Sequence, residues 1–130
     1  MKIIDGKNAV LGRLASYVAK EATKGEEMVI VNCGEIIITG NKQNIRKNFK
    51  EKREKIGSGQ KGPKHSRLAE RIVKRAIRGM LSNHRKGMGK EAYRRIKCFQ
   101  GIPKEFENLE KITAKEKNKR KYVLVKEISK

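Results

Sequence analysis

The first forty residues contain three short apolar runs and one helical stripe. The runs are "KIID" at 2–5, "MVIVN" at 28–32 and "IIITG" at 36–40, each short enough for a single strand. Between the first two runs, apolar residues recur at helical spacing, and Gly25 follows where a helix would end. The stripe consists of Leu11, Leu14, Ala15, Val18, Ala19 and Ala22. Since "MVIV" is apolar throughout, it is typical of a parallel strand covered on both faces, and the pattern predicts a β-α-β unit.

The rest of the chain predicts helices with one apolar edge, followed by late strands. A helix beginning near Asn41 has only a sparse apolar edge, at Ile45, Phe49 and Ile56. The helix expected over 66–81 has a fuller stripe, formed by Leu68, Ile72, Val73, Ala76, Ile77 and Met80. A short helix within "KGMGKEAYRRIK", a strand in "IKCFQG" and a strand or docked extension around 122–125 follow. With only two prolines, both in loops, the 130 residues suit one α/β domain.

Positive charge is concentrated in the middle of the chain. Lys and Arg number 34 against 14 Asp and Glu, a net charge of +20. Residues 1–40 are neutral, residues 41–100 carry a net +16, and residues 101–130 carry the remaining +4. Such an imbalance costs stability through self-repulsion unless a polyanion relieves it. Nucleic acid is therefore the expected partner of the 41–100 region.

The cations of the helix over 66–81 share one side. Arg67, Arg71, Lys74, Arg75 and Arg78 lie opposite the apolar stripe, and only Glu70 interrupts them. A solvated helix face would explain why these positions are polar but not why nearly all are positively charged, since such faces usually mix Glu with Lys. The chain has no Trp and few scattered Phe and Tyr, which disfavours a base-stacking platform. Recognition of the phosphates and shape of folded RNA is the favoured interpretation.

The run "GSGQKG" at 57–62 matches the spacing of a dinucleotide-binding fingerprint, but its surroundings are wrong. Such a fingerprint needs a buried strand before the first glycine and a helix opening at the third. Here a charged stretch precedes Gly57, and Pro63 follows Gly62. We interpret it as a loop whose backbone N–H groups, with Lys61 and Lys64, approach RNA phosphates closely.

Other functional classes find little support. Two histidines, two distant cysteines and one aspartate are too few for a metal centre, so we expect no metal, cofactor or small-molecule substrate. "KGMGKEA" lacks the Ser or Thr of a phosphate-binding loop, and Cys33 and Cys98 suit core thiols. The apolar runs are too short to span a membrane, and the start lacks a secretory apolar region, so we expect an intracellular protein. We expect no catalytic residue.

Several blocks together resemble the universal large-subunit ribosomal protein thirteen family in its archaeal-like form. These are "IIDGKNAVLGRLAS", "VIVNCGEIIITGNK", "IRGML", "GKEAYRRIKCFQGIP" and the tail "KYVLVKEIS". The family often has a proline after the "RGML" block, where this chain has Ser82 and Asn83. The resemblance implies one three-layer α/β/α domain over 1–130, on a short, mostly parallel sheet with basic helical and loop extensions. Residues 1–40 then form its neutral β-α-β start, 41–100 its basic RNA-binding region and 101–130 a C-terminal extension.

The function implied by the resemblance is to bind and help fold large-subunit ribosomal RNA in cytoplasmic ribosomes, beside neighbouring ribosomal proteins. Two alternatives stay open: a free-standing RNA-binding regulator or chaperone, and a small RNA-acting enzyme using His65 or His84. The RNA-binding candidates are Arg13, Lys42, Arg46, Lys47, Lys50, Arg53, Lys61, Lys64, His65, Arg67, Arg71, Lys74, Arg75, Arg78, His84, Arg85, Lys86, Lys90, Arg94 and Arg95.

Overall fold

A computed structural model describes residues 1–54, 66–113 and 121–129. The strands are β1 (Lys2–Asp5), β2 (Met28–Val31), β3 (Ile37–Thr39), β4 (Ile96–Cys98), β5 (Ile112–Thr113) and β6 (Tyr122–Leu124). The helices are α1 (Leu11–Thr23), α2 (Lys42–Glu54), α3 (Ala69–Met80), α4 (Gly87–Arg94) and α5 (Val125–Ile128). Short 3-10 helices occupy Cys33–Glu35 and Lys104–Phe106.

The main sheet is parallel throughout, in the order β4-β2-β1-β5. Ile3 pairs with Val29 and Ile4 with Ile30, and α1 connects these two central strands. After α1, Gly25 has φ +106°, a backbone conformation that side-chain-bearing residues rarely adopt. The predicted β-α-β unit and the mostly parallel sheet are confirmed.

The two faces of this sheet are covered differently. On one face Ile4, Met28 and Ile30 join a large core built from the apolar sides of α1, α3 and α4. On the other face Ile3, Val29 and Val31 pack with Phe106 and the half-buried Phe99, whose rings are 5.8 Å apart between centroids. The five helices of the described residues and the parallel main sheet thus make a single α/β domain, and the layer on the second face includes the 3-10 helix Lys104–Phe106.

The C-terminal residues form a second, smaller sheet with β3. β3 pairs antiparallel with β6, Ile38 opposite Val123, and does not join the main sheet. Asn32, at φ 55°, and the 3-10 helix that follows it turn the chain away after β2. Val123, Val125 and Ile128 are buried, so the tail completes the fold.

Helix α2 lies on the outside of the domain. None of its residues is buried, although half-buried Phe49 packs against the core. Lys42 forms an ion pair with Glu127 at 3.7 Å, and Arg53 donates a hydrogen bond to the carbonyl oxygen of Ile128. The last nine described residues therefore help to hold a strongly basic helix in place.

Candidate nucleic-acid interface

Helix α3 separates apolar and cationic residues onto two sides. Ile72, Val73 and Ile77 are buried against the core. On the outer side Arg71 is exposed, and Lys74, Arg75 and Arg78 are half-buried. The helix is thus anchored by its apolar stripe, which fixes the positions from which its cations project.

Glu70 does not belong to the cationic side. Its carboxylate oxygen Oε2 is buried, and it has no hydrogen-bond partner among the described residues. The carboxylate lies close enough to Cys33 to contribute to that thiol's raised pKa, after the hydrogen bond with Cys98 and burial. The single acidic interruption in the row of cations is therefore turned toward the core.

A cavity of about 630 Å³ lies between α3 and the helices that surround it. Leu11, Phe49, Ile72, Ala76 and Tyr93 supply apolar and aromatic walls, and one side carries the hydroxyl group of Ser66. The cations lining it are Lys52, Arg71, Lys74, Arg75 and Arg78. Residues from α1, α2, α3 and α4 thus meet around one hollow.

A second groove lies between α2 and the start of α3. Arg46, Lys50, Arg53 and Arg67 line it, together with Glu54, Glu127 and Ile128. Burial and the nearby charge of Arg67 lower the pKa of the Arg53 guanidinium. Two arginines are thus held near each other, an arrangement that favours an anion between them.

We refer to the cations lining the cavity and the groove as the α2–α3 basic surface. It consists of Arg46, Lys50, Lys52, Arg53, Arg67, Arg71, Lys74, Arg75 and Arg78. Two helices and the segment leading into α3 supply all nine. The fold thus brings cations from elements separated in sequence to two concavities on α2 and α3.

Helix α4 contacts this surface through an aromatic ring. The Nζ atom of Lys74 lies 4.7 Å from the centroid of the Tyr93 ring, and the centroid of the His84 ring lies 6.2 Å from that of Tyr93.

Asn83 shapes the turn before α4, because its side chain accepts a hydrogen bond from the Arg85 N–H at 3.1 Å. Ser82 and Asn83, at the place where the family often has proline, therefore lead into a turn over His84 and Arg85 that precedes α4.

The remaining candidates are distributed over several places. Lys42 and Lys47 are exposed on α2, Arg85 and Lys86 in the turn before α4, and Lys90 and Arg94 on α4. Arg13 lies beside β5, next to Tyr17 and Ile112. Arg95 donates a hydrogen bond to the carbonyl oxygen of Ala22 and forms an ion pair with Glu91, so its guanidinium stabilises the fold. Lys61, Lys64 and His65, with the glycine loop, lie outside the described residues.

The site also contains residues that were not among the sequence candidates, and Lys52, Phe49 and Tyr93 are the ones that bear on its chemistry. Lys52 follows Phe49 by three positions on α2, and its Nζ lies 5.7 Å from the Phe49 ring centroid. That spacing was a signal for Lys52, because residues three apart share a helix side. The role of Tyr93 depends on how α4 meets α3, for which no local signal exists.

Other kinds of site find no support in the described ranges. No cluster of three or more His, Cys, Asp or Glu residues capable of holding a metal occurs in residues 1–54, 66–113 and 121–129. Within the same ranges no helix is long and apolar enough to cross a bilayer. Cys33 is buried in the core and Cys98 is packed against it, and neither forms a disulfide.

Comparison with known proteins identifies the family. The family model described as ribosomal protein L13 matches residues 1–105. The chain belongs to the ribosomal protein L13 family. It is therefore a ribosomal protein with a structural role and not an enzyme, which removes the enzymatic alternative. The resemblance found in the sequence is confirmed.

Curated members of this family resemble the chain over most of its length. A protein named large ribosomal subunit protein uL13 from Methanocaldococcus jannaschii is 45% identical, with 100% of this chain and 96% of that protein covered. The proteins of that name from Archaeoglobus fulgidus and Methanococcus maripaludis are 41% and 42% identical. Those comparisons cover 98% and 99% of this chain, and 84% and 95% of the respective relatives. The tail, which lies beyond the family model, is thus included in the likeness to whole proteins.

Proposed function

We propose that this chain is a structural constituent of the large ribosomal subunit that binds large-subunit ribosomal RNA and helps it fold. Its partners are that RNA and neighbouring large-subunit proteins, and its location is the ribosome in the cytoplasm. The names of its relatives support the subunit assignment. The observation that carries the RNA assignment is the α2–α3 basic surface, which places nine cations around two concavities.

The binding rests mainly on phosphate contacts. Lysine and arginine side chains that neutralise phosphates release condensed counterions, which supplies a large favourable term at low salt. Because the apolar stripe of α3 holds the helix in place, the backbone positions that carry its arginines need not move on binding. Bound cations also reduce repulsion between RNA segments that approach each other. The same contacts therefore give affinity and favour a compact RNA fold.

The uneven distribution of charge along the chain also supports this function. The neutral residues 1–40 provide the two central strands and α1, which form much of the core. The basic residues 41–100 provide α2, α3 and α4. The first part thus serves as scaffold, and the second presents charge to RNA. The candidates beyond the α2–α3 basic surface extend the proposed contacts around it.

Sedimentation of a cell lysate at moderate salt tests this function against a free-standing regulator or chaperone. A structural constituent should run with large subunits. Replacing Arg71 and Arg78 with Gln should shift protein into the soluble fraction, whereas replacing exposed Lys7 and Lys20 of the neutral region should not. A wild-type protein found only in the soluble fraction would contradict the ribosomal assignment and favour the regulator.

A further inference from the structure

The cavity between α2, α3 and α4 has a composition that phosphate binding alone does not explain. Phosphates need cations and hydrogen-bond donors, and the neighbouring groove supplies mainly those. The cavity adds two aromatic rings, Phe49 and Tyr93, and aliphatic groups of Leu11, Ile72 and Ala76. Its volume of about 630 Å³ lies within the roughly 300–1,000 Å³ of cavities that hold small organic groups.

We propose that this cavity holds one unstacked nucleotide of the bound RNA. The base lies against the aromatic and aliphatic wall, and its phosphates meet the arginines of α3. This assignment rests on the proposed RNA-binding function and adds to it a site for a single unpaired base. A nucleotide fits because it joins a flat ring, whose face can stack on apolar and aromatic groups, to an anion, which matches an apolar wall bordered by Arg71, Arg75 and Arg78.

Two lysines determine how the rings become available. Lys74 lies over the Tyr93 ring at 4.7 Å, and Lys52 lies over the Phe49 ring at 5.7 Å. Both ammonium groups end four-carbon stems that rotate freely compared with an arginine fork. Phosphates that attract the ammonium groups draw them off the rings, and the uncovered ring faces then accept the base. Phosphate binding and base insertion therefore favour each other.

A paired base cannot use this site. In a duplex each base is stacked above and below, so the face that would lie against Phe49 and Tyr93 is already covered by neighbouring bases. Flipping a base out of a stack costs a few kcal/mol, least where the base is already unpaired. The cavity therefore selects a bulged or loop nucleotide and gives the interface a reference point along an otherwise repetitive backbone.

The experiment fills the cavity without changing its charge. Ala76 is half-buried on the cavity wall, and leucine at position 76 keeps helix propensity while occupying the space of the base. Ala76→Leu should weaken binding to large-subunit ribosomal RNA by about fivefold or more, the loss of one base contact. The matched Ala76→Ser variant should bind within twofold of wild type. Thermal unfolding of both free variants establishes that they fold.

A second pair of variants tests the aromatic ring of Tyr93, which one variant keeps and the other removes. Tyr93→Phe should bind within twofold, whereas Tyr93→Leu should weaken binding by about fivefold with an unchanged slope of affinity against salt, since no cation is lost. A fully paired RNA duplex of equal length should bind wild type, Ala76→Leu and Tyr93→Leu alike. Ribosomal RNA binding within twofold of wild type by both Ala76→Leu and Tyr93→Leu would overturn the nucleotide site, while leaving the phosphate interface intact.

Titration with nucleoside 5′-monophosphates tests whether the cavity binds a nucleotide of the RNA or a free mononucleotide. We expect these to bind at least about a hundredfold more weakly than the ribosomal RNA, because they lack the neighbouring phosphates that contact the rest of the surface. A mononucleotide that binds wild type as tightly as the RNA would overturn the RNA assignment and make the cavity a small-molecule site. A wild-type protein with no affinity for the RNA would instead contradict the proposed function itself.

Discussion

The Arg53 guanidinium donates a hydrogen bond of 2.7 Å to the carbonyl oxygen of Ile128, joining the end of the basic helix α2 to the end of the chain. Ile128 is itself buried, so this carbonyl is a fixed point. One arginine therefore has two connected effects: it holds α2 against the domain and lines the groove that we assign to phosphates.

Removing this anchor should loosen α2. Arg53→Ala is expected to lower the free energy of unfolding by about 1–3 kcal/mol, since a hydrogen bond from a charged group is lost, and to accelerate amide hydrogen exchange along α2. Arg46→Ala on the same helix is the control, because Arg46 is exposed, and it should leave stability within about 0.5 kcal/mol. Equal exchange rates in both variants would show that Arg53 does not anchor the helix.

Two glycines of neighbouring helices should respond to alanine with opposite signs. At Gly89 an added Cβ would overlap the carbonyl oxygens of Ser82 and Asn83, so Gly89→Ala should cost about 1–3 kcal/mol and displace α4 from the turn before it. At Gly79 an added Cβ meets nothing within 4 Å, so Gly79→Ala should stabilise α3 by up to about 1 kcal/mol. Urea denaturation measures both, and stabilisation by Gly89→Ala would contradict the close approach.

Charge removal on α3 should separate binding from stability. Replacing Arg71 and Arg78 with Gln should leave thermal unfolding nearly unchanged but reduce the salt slope of RNA binding by about one unit per residue. Ile77→Ala is the contrasting core change, since Ile77 is fully buried, and should cost about 2–5 kcal/mol. An unchanged salt slope in the folded double variant would remove α3 from the interface.

An ion pair between β1 and α1 should make stability depend on pH in the acid range. The Glu21 carboxylate lies 2.7 Å from Lys2 Nζ, and this hydrogen bond lowers its pKa below the ordinary value of 4.5. A carboxyl group with a lowered pKa stabilises the fold above its unfolded pKa and loses that contribution as the pH falls through its folded pKa. The melting temperature of wild type should therefore exceed that of Glu21→Gln at pH 7, and the difference should shrink below pH 4. A difference independent of pH would contradict this account.

The regular elements could be predicted from the sequence because each depends on a local period. The stripe of α1, the centre of the α3 stripe and the apolar run of β2 appear in the structure within a few residues of their expected bounds. The expected core positions Leu68 and Met80 were wrong: both are exposed, because they lie at the two ends of α3, beyond its packed centre. The pairing of β3 with β6 could not be predicted, since Ile38 and Val123 are distant in sequence and each strand has only three residues. The expectation that the tail forms a strand or docked extension was correct, but its partner required the structure.

The candidate site shows the same limit. Helical spacing identified the cations of α3, because charge and apolar residues repeat on opposite sides. The cavity was missed, since Phe49 and Tyr93 come together only when α2 and α4 pack around α3. The hydrogen bond from Arg95 to the carbonyl oxygen of Ala22 could not be predicted either, because the two residues are distant in sequence. The RNA contacts of all the candidates, including Lys61, Lys64 and His65 outside the described residues, stay predictions.

The salt dependence of binding between the purified protein and large-subunit ribosomal RNA tests the central claim most directly. If the α2–α3 basic surface and its flanking cations neutralise about six to ten phosphates, affinity should fall about a thousandfold or more between 50 and 200 mM salt. The logarithm of the affinity should decrease linearly with the logarithm of the salt concentration. An affinity that changes less than about threefold over this range would contradict a phosphate-based interface.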